Sequence, residues 1–133
     1  MFIGIVQVFF GMVLLATGVF SNSEEDDNFV AIRTCIATSK NQTLCDEFVA
    51  CGVHLPKRVA DDDQNCIRKI HPAGYGRCND HEELYGNKAD RDAIHDCAYN
   101  ALSSELTDEE STAVALFMVC INDLGKKCFG ESS

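Results

Sequence analysis

Eight cysteines, Cys35, Cys45, Cys51, Cys66, Cys78, Cys97, Cys120 and Cys128, are spread along a 133-residue chain that opens on an apolar, uncharged leader. Cystines persist in oxidising compartments and are rare in the cytosol. The even count fits four bridges, whose connectivity the residue spacing alone leaves open. A chain that can be stapled this often does not need a large apolar core to stay folded.

The leader supports the same compartment. Met1 to Ser21 carries no charged side chain, and Val8 to Ala16 reads as the apolar core of a signal peptide with cleavage after Ser21, Ala16-Thr17-Gly18 and Ser23 offering second and third options. The stretch from Phe2 to Phe20 is also just long enough for a membrane anchor. Gln7 interrupts it, however, and the following Glu24-Glu25-Asp26-Asp27 is acidic rather than basic. The expectation is therefore a signal peptide at 1–21 and a single cysteine-rich domain at 22–133. The tail from Phe129 to Ser133 is short and polar, without a lipid-anchor or retrieval signal. Secretion to the extracellular space, with no membrane insertion after signal removal, follows as the expected fate. Asn41-Gln42-Thr43 is a glycosylation sequon, which makes Asn41 a candidate glycan site.

The formal net charge of −10 repels phosphate backbones and anionic lipid. It argues against nucleic-acid partners and against cationic membrane disruption. The runs Glu24–Asp27 and Asp61–Asp63 read as solvated acidic surface.

The pattern is helical, and the fold class expected is all-α: a small bundle of about five short helices stapled by four disulfides. The clearest helix starts at Thr107-Asp108-Glu109-Glu110, a capping box followed by Ala113, Leu116, Phe117, Cys120, Ile121 and Leu124 at helical spacing. Gly125 is expected to end it, with Lys126 and Lys127 near its carbonyl end. A preceding helix, about Lys88 to Ser104, presents Ala93, Ile94, Cys97, Ala98, Ala101 and Leu102. The short link between these two suggests an antiparallel hairpin. In such a hairpin Cys97 and Cys120 lie at different heights, so they are not expected to pair. Shorter helices are marked by Phe29, Ile32, Cys35 and Ile36, and by Leu44, Cys45, Phe48 and Val49. A third is opened by Leu55-Pro56 and reaches Ile70, with Pro56 at its first position. His71 to Gly86 reads as a loop, and its Tyr75, Arg77 and Tyr85 are candidate contact residues.

His95-Asp96-Cys97-Ala98-Tyr99-Asn100 resembles the His-Asp helix of secreted phospholipases A2, and Gly74-Tyr75-Gly76-Arg77-Cys78 resembles that family's calcium loop. The resemblance implies His95 as general base, Asp96 as a calcium ligand and Asp123 as the residue orienting His95. The plainer reading puts His95 and Asp96 on the polar side of a stapled helix and assigns no catalytic residue, no metal and no cofactor. Cys78 and His81 have a zinc-like spacing, but Cys78 is expected in a cystine. Asp61-Asp62-Asp63 could at most hold calcium weakly. No nucleophile elbow is present.

Several short helices each bearing a cysteine, with Leu55-Pro56 and Leu106-Thr107-Asp108-Glu109-Glu110 openings, resemble small secreted cysteine-rich helical proteins of arthropods, of the venom or microplusin-like type. That resemblance implies a toxin-like or defence effector acting on an extracellular or membrane-receptor protein. The alternatives are a carrier of small apolar ligands, lined by Phe48, Phe117 and Met118, and a divergent calcium-dependent phospholipase.

Overall fold

The computed structural model describes residues 18–101 and 105–130, with side chains from residue 27 onward. The expected leader core at Val8 to Ala16, the end of the second-to-last helix at Ser104 and the last residues of the tail lie outside the described residues. The fold is all-α: five α-helices and one 3-10 turn, with no named strand among the described residues. The helices are α1 (Gly18–Ala37), α2 (Gln42–Ala50), α3 (Lys57–Ile70), α4 (Lys88–Ala101) and α5 (Asp108–Cys128), and the 3-10 turn Cys51–His54 continues α2. Met1–Ala31 and Ile32–Ser133 form two compact units, and the second holds all four cystines.

Local chemistry sets the helix ends. Asn41 caps α2, its Oδ1 accepting from the Leu44 amide at 3.2 Å. Thr107 caps α5 in the expected capping box: its hydroxyl accepts from Glu110 N at 3.1 Å, and Glu110 Oε1 accepts from Thr107 N at 2.9 Å. Pro56 stands one place earlier than expected, at the N-cap of α3 in extended backbone.

Gly125 does not end α5. The helix runs on to Cys128, Gly125 is buried within it, and Gly130 supplies the left-handed residue beyond the end at φ 75°. The reason is tertiary. A Cβ on Gly125 would lie 2.8 Å from Ile32 Cγ1, so the glycine is what lets Ile32 lie against α5.

The cystines decide which helices are neighbours. Cys35–Cys128 ties α1 to the end of α5, and Cys51–Cys120 ties the 3-10 turn to the middle of α5. Cys45–Cys78 ties α2 to the loop after α3, and Cys66–Cys97 ties α3 to α4. Cys97 and Cys120 thus have different partners, as expected, although the hairpin offset from which this was argued does not exist. The antiparallel α4–α5 hairpin is corrected, however: α4 packs against α3, while α5 packs against the 3-10 turn and α2. Two bridges pull the consecutive helices to different partners, and this overrides the short link between them. Ile32, Ile36, Phe48, Ile67, Leu84, Ile94, Ile121 and Leu124 are buried in the core together with Cys45, Cys51, Cys66 and Cys78. Each bridge contributes roughly 2–4 kcal/mol, chiefly by restricting the unfolded chain.

Candidate interaction surfaces

The loop between α3 and α4 is built from hydrogen bonds at almost every step. His71 Nδ1 lies 2.5 Å from the Gly74 carbonyl, and Gly74 and Gly76 take positive φ values of 96° and 74° to make the turn. The Tyr85 amide donates to the Tyr75 carbonyl at 2.7 Å, and the two rings sit 5.6 Å apart. Gln64 Nε2 donates to the Tyr75 hydroxyl. The Leu84 amide reaches the Ala37 carbonyl, and Gln42 Oε1 accepts from the Cys78 amide at 2.8 Å. This corrects one expectation. Tyr85 is not a contact residue, being only 7% exposed. Its burial pushes the phenol well above its ordinary range, with the Asp63 carboxylate adding to the effect. Tyr75 is half-buried, and only Arg77 of the three stands in solvent.

A polar cleft of about 250 Å³ opens between this loop and the α1–α2 turn. Thr38 and Lys40 line one side, and Asn79, Asp80, His81, Glu82 and Glu83 the other. Lys40 holds a left-handed backbone at φ 60° and faces Asp80 at 3.9 Å, both side chains being largely exposed. Among the described residues no group of three or more His, Cys, Asp or Glu is placed to hold a metal ion. Cys78, the zinc-like candidate, is bonded to Cys45.

Two buried arginines lie beneath. Arg91 is 1% exposed; its Nη1 donates to Glu83 Oε1 and to the Leu84 carbonyl, both at 3.0 Å. Arg33 is buried as well, and its Nη2 donates to Asp92 Oδ1 at 3.3 Å. Lys88, by hydrogen bond, and then the two arginines hold the Asp92 carboxyl below its ordinary range. Asp63, half-buried on α3, is pushed up by burial while Arg33 and His95 act against the shift. Charges on α1, α3, α4 and the loop therefore meet in one cluster.

Elsewhere the exposed side of α5 carries Ala115, Leu116 and Val119, with Val53 exposed on the adjoining 3-10 turn.

A family model described as Hi1a-like, U10-hexatoxin-Hi1a, matches residues 23–129. The chain belongs to the Hi1a-like family. Neither a curated protein nor a solved structure gives a match. The matched span begins before Cys35 and ends after Cys128, so all four bridges of this Hi1a-like chain fall inside it.

The arrangement implied by the phospholipase resemblance is not assembled. His95 lies near enough to Asp63 to act on its carboxyl electrostatically, while Asp123 is exposed on α5, which packs against the 3-10 turn and α2. Asp96 is exposed too, and the Gly74 carbonyl is already engaged by His71. Of the residues suggested for an apolar ligand, Phe48 is buried while Phe117 and Met118 are half-buried, and none lines the cleft. The buried arginines escaped sequence reasoning, although a signal existed. Arg91 sits three residues before buried Ile94, and Arg33 three before buried Ile36, on the apolar face of each helix.

Proposed function

We propose that this Hi1a-like chain is a secreted, toxin-like effector that acts by binding an extracellular protein target. One observation carries the reading: a toxin-family match that encloses all four cystines. The remaining features support it. Four bridges across five helices give a rigid frame, which lowers the ordering cost of association. None of the helices, among the described residues, is long and apolar enough to cross a membrane. Residues 1–21 are the cleaved signal and 22–133 the mature domain, on the apolar, uncharged character of the leader. Asn41 is exposed and uses Oδ1 to cap α2, leaving its Nδ2 available for a glycan.

The test has two parts. Native protein should have lost the leader, and its mass should rise by eight hydrogens on reduction of the four bridges. Labelled protein should then bind a panel of animal cell membranes saturably, and digestion of the surface proteins should abolish that binding. Retained leader with free thiols, or the absence of any saturable, protease-sensitive binding, refutes the proposal.

A further inference from the structure

The most prominent surface feature outside the loop is aliphatic. Val53 is 82% exposed, Leu116 54% and Val119 57%. Leu116 and Val119 are three residues apart on α5, so they share a helix face, and exposed Thr112 and Ala115 continue it. The third residue belongs to the same neighbourhood. The 3-10 turn packs on α5 and is bonded to it through Cys51–Cys120, with 5.8 Å between the Cα atoms. Val53 follows Cys51 by two residues, Val119 adjoins Cys120, and Leu116 lies about one turn before it. A cystine thus joins the two elements that carry these solvent-facing aliphatic side chains, Val53 on the turn and Leu116 and Val119 on α5.

The charge along the α5 part of this face is one-sided. Glu105, Asp108 and Glu109 are exposed at the start of α5 and Asp123 is exposed past Val119. Among the described residues none of these four carboxylates takes part in an ion pair. The only exposed cations of α5, Lys126 and Lys127, stand on its last turn, where Lys127 already pairs with Glu47 at 3.2 Å.

We propose that this face, rather than the loop, is the contact surface for the target, and that the target offers an apolar patch ringed by basic side chains. The inference rests on the effector reading above and names the surface and the partner chemistry for it. Charge complementarity selects the occupant. A second copy would bring acid rim against acid rim, and an anionic lipid surface would meet a chain of net charge −10. A basic rim on a protein partner is attracted by the same carboxylates, and an apolar centre covers the aliphatic residues.

The experiment uses the full mature chain with its four bridges and the membrane-binding assay already described. The variant L116S/V119S should lose at least tenfold in affinity while keeping its helical spectrum and melting behaviour. V53S, on an exposed turn, gives an independent second reading if the double variant does not fold, and should lose several-fold. D108N/E109Q should slow association several-fold and flatten its dependence on salt between about 50 and about 300 mM. R77A, on the loop, should bind like the parent chain. Unchanged binding by L116S/V119S and V53S overturns the proposal, and so does loss of binding in R77A alone. Equal binding to protein-free phosphatidylserine vesicles, or a dimer in sedimentation that L116S/V119S abolishes, replaces the proposed occupant. Failure of the parent chain to bind any protein-bearing membrane instead removes the effector reading on which the surface depends.

Discussion

Replacing Gly125 by alanine sets two effects of similar size against each other. Within a helix the change should help by about 1 kcal/mol, because glycine has more backbone freedom to lose on folding. Here the new Cβ would stand 2.8 Å from Ile32 Cγ1 and 2.9 Å from Cδ1, closer than carbon atoms can pack. Ile32 is itself buried, and Cys35–Cys128 holds α1 and α5 together a turn away, so neither side can simply step back. Overpacking of this kind costs about 1–3 kcal/mol. The expected net result is a loss of about 1 kcal/mol, read from urea unfolding with the cystines intact and an unchanged slope. A double-mutant cycle isolates the contact. Ile32→Ala alone should cost about 2–5 kcal/mol by leaving a void. Combined with Gly125→Ala it should cost less than the two separate losses together, with a coupling of about 1–3 kcal/mol. If Gly125→Ala is more stable than the parent chain, or if the two changes simply add, the close-approach argument is wrong.

Acid should weaken the link between α3 and α5. Hydrogen bonds from Arg58, at 3.0 and 2.8 Å, and then from Thr107 hold the Glu110 carboxyl at about 2, against an ordinary value of 4.5. A depressed carboxyl stabilises the folded state above its unfolded value and loses that contribution as pH falls toward its folded one. Glu110→Gln should therefore melt below the parent chain at neutral pH, with the gap closing between pH 4.5 and about 2; a gap independent of pH would rule out this origin. At the sequon, Thr43→Ala should remove the glycan mass and leave stability unchanged, because the Asn41 cap survives. Asn41→Ala should remove the glycan and cost about 1 kcal/mol of stability through loss of the cap. Native protein of unglycosylated mass disproves the modification.

The parts of this fold that short-range chemistry controls could be read directly from the residues. The capping box at Thr107 and Glu110, the helical stripe along α5, the helix from Lys57 to Ile70 and the all-α class belong here. What could not be read depends on partners distant in the chain. By local rules Gly125 is a stop signal, yet it stands inside a helix because Ile32 needs its space. The short link after α4 suggested a hairpin, but Cys66 and Cys51 claim the two helices separately. Tyr85 sits in a loop, where exposure is the ordinary expectation, and is buried because Tyr75 covers its ring and the Tyr75 carbonyl takes its amide. The charged cluster was hidden for the same reason: Arg33, Asp63 and Asp92 are far apart in sequence and meet only when α1, α3 and α4 pack. For the site, this means that the loop was visible as a loop, whereas the aliphatic face depends on a cystine pairing that no spacing revealed.

The longest-range bridge, Cys35–Cys128, closes nearly the whole domain into a covalent circle, with the other three bonds as chords across it. One cut by a protease anywhere along that circle opens the ring but frees nothing. Both new ends stay covalently attached to the same molecule through the remaining chain and bridges. Only the residues before Cys35 and the few after Cys128 can be trimmed away by a single nick. Against a protease, such a molecule survives its first wound in one piece.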